Sequence, residues 1–154
     1  MLAGPNYAGN IIVILANLPD FLRIPVLKKR MIEFFSLSEI EKKEIINNAL
    51  EAGPTIPFPN FSKLFKTWLE ILTTFTEEQR NELFSGYIKE ISEFPQKLIV
   101  FNLDGILEIF LTLDAGKKDI LANTIKNIIN DLDIQKKRKI MLVIPDNAKK
   151  HLKF

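Results

Sequence analysis

The chain contains no cysteine among its 154 residues. That removes disulfides, thiolate metal sites and a cysteine nucleophile, and argues against a small secreted scaffold. A reducing cytoplasm is the compartment this composition favours. Histidine occurs once, as His151, three residues from the end among Lys149, Lys150 and Lys153. Terminal residues seldom hold the preorganised geometry that acid–base chemistry needs. The sequence has no Gly-x-Ser-x-Gly elbow, no Gly-x-x-x-x-Gly-Lys phosphate loop and no His-Glu-x-x-His helix. Glycine is scarce, and Gly105 and Gly116 stand too far apart to cradle a phosphate. Acidic residues are dispersed among lysines, so no carboxylate cluster for a metal is visible. The early apolar run Ile11 to Ala16 falls far short of the about 20 residues that span a bilayer. It also lacks the preceding basic residues of a signal peptide. These absences predict a chain with no catalytic residues, no cofactor, no metal site and no membrane insertion.

What is present suits one folded domain covering residues 1–154: 47% of residues are hydrophobic and 26% charged, enough to bury a continuous core. The net charge of +2 hides an asymmetry. From Ile134 to Phe154 seven Lys or Arg face one acid, Asp146, for +6, which leaves −4 on residues 1–133.

Ser38, Thr76 and Asp114 stand 38 residues apart, each between two apolar stretches of helical period. Ser38-Glu39-Ile40-Glu41 and Thr76-Glu77-Glu78-Gln79 are capping boxes, in which the hydroxyl accepts from the N3 amide and the Glu or Gln reaches back. Asp114 lacks that reciprocal partner, because Lys117 occupies N3, but its carboxylate suits the positive end of a helix dipole. Seven, eight and eleven residues after the caps lie Ile45, Ile46, Ala49; Leu83, Phe84, Tyr87; and Leu121, Ala122, Ile125. Each set forms one apolar stripe. Leu64, Phe65, Trp68, Leu69 and Leu72 form the face of a preceding helix, and Leu103, Ile106, Leu107 and Phe110 its counterpart one unit on.

This pattern predicts an all-α fold of about three helical hairpins, as repeats 25–53, 60–92 and 96–131. A half-unit at 8–24 and a basic C-terminal half-unit at 133–152 flank them. Pro25 is expected to start a helix after a short turn at Asp20 to Ile24. Gly53 to Asn60 reads as a stiff, extended connection, with Gly53 closing one helix and Asn60 capping the next. The β-branched run Ile11–Ala16 fits a helix or a strand.

Four residues after each cap or helix start the residue is basic: Arg23, Lys42, Arg80, Lys118 and Lys149. Glu33, Glu70 and Glu108 recur on the first helices. Stacking would align these as rows, either a solvated face with weak ion pairs or a charged ladder that orders the repeats or meets a partner. Arg23, Lys42, Arg80 and Lys118 are therefore candidate partner contacts. Phe58 joins them, since it sits between prolines where it either folds back onto the core or stands exposed. Lys136, Lys137, Arg138, Lys139, Lys149, Lys150 and Lys153 are candidate contacts to nucleic acid or another anionic surface, or a solubilising end. The segment from the Asp133 cap reads as one helix with a charged first half and a buried second half.

Paired helices at this period resemble HEAT and armadillo repeats. The Leu18-Pro19-Asp20-Phe21-Leu22-Arg23 pattern resembles the helical repeats of the magnesium-transporter N domain and the flagellar rotor switch protein. The HEAT and armadillo resemblance implies a right-handed α-solenoid. No acidic cluster matches the transporter's ion sites, so its activity is not implied. The function expected is a non-catalytic protein-binding scaffold or adaptor, with polyanion binding through the C-terminal segment as the alternative. A homodimer stays open.

Overall fold

The computed structural model describes residues 7–154, with side chains from residue 10 onward. The leader reading of the first six residues lies outside the described residues. Among the described residues there are ten α-helices, one 3-10 turn and no strand. The helices are α1 (Tyr7–Asn17), α2 (Asp20–Phe34), α3 (Glu39–Ala52), α4 (Phe58–Thr74), α5 (Glu77–Glu93), α6 (Gln96–Ile99), α7 (Leu103–Leu111), α8 (Ala115–Asp131), α9 (Ile134–Val143) and α10 (Asp146–His151). The run Ile11–Ala16 is thus helical: Leu15 and Ala16 are buried, and tertiary burial outweighs the weak strand preference of its β-branched residues.

Most helix starts follow a clock. N-caps fall at Pro19, Ser38, Pro57, Thr76, Pro95, Asp114 and Asp133, each 19 residues after the last. Polar caps mark the even steps, and proline marks the odd ones up to Pro95. Both capping boxes form, with the Glu41 amide donating to Ser38 Oγ and the Gln79 amide to Thr76 Oγ1, each at 3.2 Å. Asp133 accepts from the Lys136 amide at 2.9 Å. Asp114 makes no side-chain cap bond among the described residues, so only its charge acts on the helix end.

Three local expectations are corrected. Pro25 lies inside α2 and does not open it. Pro25 is exposed, and the helix loses at that point only the one amide that proline cannot donate. Asn60 does not cap α4: the cap is Pro57, and Pro59 sits in the first turn, where a missing amide costs no helix bond. Asn60 Nδ2 instead donates to Asn17 Oδ1 at 2.8 Å, tying α4 to α1. The connection from Gly53 is also short rather than extended, a 3-10 turn over Gly53–Thr55 followed by Ile56 and Pro57. Gly53 has ordinary right-handed dihedrals. It is required for space, since a Cβ there would come within 2.7 Å of the Phe101 ring.

The helices pack in two rows. In one, α3 touches α1 and α5, and α5 touches α8; in the other, α4 touches α2 and α7. Contacts of α4 with α1 and α8 join the rows. Leu72, Leu121 and Ile129, almost wholly enclosed, mark the continuous core between them. An aromatic file runs along α4: Phe58, Phe61, Phe65 and Trp68 lie with successive centroids 5.5–6.1 Å apart. Trp68 then meets Phe84 and Tyr87 of α5 edge-on, both at 5.5 Å. The i, i+3, i+4 spacing that made α4 amphipathic places these rings on one face. α9 departs from expectation: Ile140 is buried but Leu142 is 85% exposed, because α9 packs on α5 and α8 along one side only.

Candidate binding groove

Two of the five repeated basic residues are spent inside the fold. Arg23 is 2% exposed, so it is not available as a partner contact. Its Nε donates to the Leu15 carbonyl at 3.1 Å, and its two terminal nitrogens donate to the Leu18 carbonyl and the Asp20 carboxylate. Arg80 repeats the arrangement one row over, donating to the carbonyls of Leu72 and Phe75. In both cases the acceptors lie eight and five residues back, across the corner from the preceding helix. The last carbonyls of a helix lack intrahelical donors, and a guanidinium presents its donors in a rigid planar fork that can reach two of them at once. Arg80 Nε is buried without a partner among the described residues.

The other three basic residues differ. Lys42 pairs with Glu39 at 3.4 Å and with Glu82, bridging α3 to α5. The hydrogen bond to Glu82 is the main reason the Lys42 pKa rises above its usual value. Lys149 pairs with Asp146 at 3.2 Å. Lys118 is half-buried and has no ion pair among the described residues. The glutamate row does not answer this basic row: Glu33 pairs with Arg30 at 3.5 Å, and Glu70 and Glu108 have no ion pair among the described residues. Phe58 is half-buried and packs on the core. Its ring fills the space a side chain at Gly105 would take.

The C-terminal cations divide as well. Lys137 donates to Asn130 at 2.8 Å and Lys153 to Asn123 at 2.9 Å, both on α8. Arg138, Lys139 and Lys150 are exposed. Lys136 faces another way, into a groove.

That groove, about 660 Å³, lies where α3, α5 and α9 converge. One face of α5 forms its wall through Asn81, Ser85 and Lys89, with Lys43 of α3 opposite and Lys136 of α9 at one side. Phe34, Ile46 and Gly86 supply apolar floor. A second hollow of about 340 Å³ shares Asn81, Ser85 and Lys89 and continues to Asn127, Ile128, Asp131 and Leu132 at the end of α8 and just beyond. Together they make one open trough across the row of helices that begin at the polar caps. Beneath it, Glu90, 6% exposed, accepts from Lys97 Nζ at 2.7 Å. Lys97 also donates to Asn47 Oδ1 and stands 4.6 Å from the Phe94 ring centroid. This half-buried pair ties α3, α5 and α6 together.

Sequence reasoning missed the trough. The α5 positions 81, 85 and 89 form a polar i, i+4, i+8 line, which on a lone helix reads as a solvated face; only the flanking helices make it concave. His151 is exposed at the end of α10. Among the described residues no group of His, Cys, Asp or Glu is placed to hold a metal. No described helix is long and apolar enough to cross a membrane. No family model, curated protein or solved structure matches this chain.

Proposed function

We propose that this chain is a non-catalytic scaffold of helical-repeat type that holds a segment of another protein in the trough over α3, α5 and α8. In this reading the two rows of helices are a short right-handed α-solenoid of paired 38-residue units, and the cysteine-free composition suits work in the cytoplasm. The single observation that carries the proposal is the trough itself. It is a concave surface with hydrogen-bonding Asn81 and Ser85 along one helix and apolar side chains beneath, the combination by which solenoid faces take extended chains. The regular caps support the solenoid, because the steps at Ser38, Thr76 and Asp114 open α3, α5 and α8 in one row, and those at Pro19 and Pro57 open α2 and α4 in the other. The basic C-terminal segment is a weaker ligand surface than its charge suggests, since several of its cations already serve α8 and Asp146.

The test is selection from a displayed random-peptide library on the immobilised protein. Binders should be recovered whose affinity collapses when Ser85→Trp fills the trough, with the helical circular dichroism and melting of the variant preserved. Lys89→Trp, at an exposed position on the same line, gives a second obstruction should Ser85→Trp unfold. Binders indifferent to both would place recognition elsewhere and refute the proposal.

A further inference from the structure

Away from the trough, we infer that the outward face of α9 docks the protein on an anionic lipid surface. Ile134 and Leu142 enter the headgroup layer, and Arg138 and Lys139 meet the lipid charges between them. Five residues of α9 are exposed: Ile134, Gln135, Arg138, Lys139 and Leu142. At about 3.6 residues per turn they fall on one side of the helix, opposite the buried Ile140. Leu142 is 85% exposed and Ile134 65%. A single exposed apolar residue is ordinary on a protein surface, but these two stand at either end of one cationic face. Eight residues of helix set them about 12 Å apart along the axis, so a helix lying flat on a surface brings both to the same depth.

The face carries no acid. Between Asp133 and Asp146 the chain has four cations and no carboxylate. The acids nearest in sequence are engaged elsewhere: Asp133 accepts the Lys136 amide, Asp146 pairs with Lys149, and Asp131 lines the continuation of the trough. The other cations of the segment are turned away as well, Lys136 to the groove, Lys137 to Asn130 and Lys153 to Asn123. Among the described residues the Arg138 and Lys139 side chains have no hydrogen bond or ion pair, so their charge is free. Each basic side chain held against an anionic leaflet strengthens binding roughly fivefold. Long stems let both charges stay with the headgroups while the aliphatic neighbours go deeper. A nucleic acid would use the same cations but leave Ile134 and Leu142 idle. Surfaces that hold single strands add aromatic rings for bases to stack on, and this face has none.

Sedimentation of the full chain with vesicles tests this, using phosphatidylcholine alone and an equal mixture of phosphatidylcholine and phosphatidylserine. At about 0.1 M salt, charges more than about 10 Å from the surface are screened. The protein should sediment with the mixed vesicles and stay in solution with the neutral ones. R138Q/K139Q should weaken binding at least about tenfold through two lost charges, and I134S/L142S should do likewise through lost aliphatic burial. K43Q/K89Q, equal in charge change but in the trough, should alter it less than about twofold. All six side chains are exposed, so the variants should melt with the parent. Because the chain has no cysteine, Leu142→Cys carrying an environment-sensitive fluorophore reports the contact itself. Its emission should shift to the blue with the mixed vesicles, and that of labelled Lys63→Cys on α4 should not. No sedimentation with the mixed vesicles, equal sedimentation with the neutral ones, equal losses from R138Q/K139Q and K43Q/K89Q, unchanged binding by I134S/L142S, or a silent label at position 142 would each overturn the inference. So would tighter binding of a single-stranded oligonucleotide that R138Q/K139Q abolishes and I134S/L142S leaves intact, which would make nucleic acid the ligand. Ile134, Arg138, Lys139 and Leu142 do not line the trough, so lipid docking and the scaffold reading stand or fall separately.

Discussion

Replacing Arg23 by Met should be among the most damaging single changes in the molecule, although nothing about an arginine four residues into a helix marks it as buried. The guanidinium satisfies the Leu15 and Leu18 carbonyls and the Asp20 carboxylate. Leu15 retains the Leu18 amide at 3.3 Å, so the acceptor orphaned outright is Leu18. An unsatisfied buried acceptor costs about 1–3 kcal/mol, and the exposed Asp20 carboxylate left behind adds little. With a urea slope of about 2 kcal/mol/M, the midpoint should fall by about 0.5–1.5 M. Arg23→Lys should recover less than half of that, because an ammonium lacks the rigid planar fork that reaches two acceptors at once. Asp20→Asn should cost less than about 1 kcal/mol, since the Asp20 side chain is 80% exposed. Lys118→Met, at the equivalent step from its cap, should stay within about 0.5 kcal/mol. Urea unfolding followed by circular dichroism measures all four. An Arg23→Met midpoint indistinguishable from that of Lys118→Met would refute the corner-staple reasoning.

Other outcomes follow from packing, caps and titration. Gly105→Ala should destabilise by about 1–3 kcal/mol through collision with the Phe58 ring. Gly116→Ala, with open space around its Cβ, should be neutral or stabilise by up to about 1 kcal/mol; paired thermal melts decide. Ser38→Ala, Thr76→Ala and Asp133→Ala should each cost about 0.5–2 kcal/mol, and Asp114→Ala less, because only the first three side chains accept a cap bond. Burial pushes the Tyr87 phenol up to about 12 from an ordinary 10.0. The unfolded chain therefore releases this proton first, and stability present below pH 10 should drain away between pH 10 and 12, by at most about 3 kcal/mol. Absorbance near 295 nm should show one of the two tyrosines ionising late, and normal titration of both would contradict the burial.

Helix starts were legible where their signal is local. Ser38 and Thr76 announce themselves by a hydroxyl followed three residues later by Glu or Gln, and both boxes form. Pro57 and Pro95 carried the same information half a unit out of phase, but proline is ambiguous, since it opens helices, ends them or, as at Pro25, rides on a solvent face. The basic residue four steps past each cap was visible as a pattern, while its job was not. Arg23 and Arg80 turn inward because a helix corner offers carbonyls at reach, whereas Lys42 turns to Glu82 from another unit. Asn102, which caps α7 by accepting from the Gly105 amide at 3.0 Å, and the short α6 before it were hidden inside what reads as one helix-bearing stretch. The Glu90–Lys97–Asn47 cluster and the trough join residues from several helices, a relation that no periodicity along one helix encodes.

Amide shift mapping of the isotopically labelled protein with a displayed-peptide binder tests the central claim most directly. Val13, Ile14, Phe21, Leu22 and Ile24 at the α1–α2 end form the rival surface, with Phe21 75% exposed. The account predicts that the largest shifts fall on Asn81, Ser85 and Lys89, extend to Lys43 on one side and Asn127 on the other, and spare α1 and the start of α2, with Phe34 at its end alone responding there. Shifts centred on Ile14 and Phe21, with the α5 line unmoved, would contradict it.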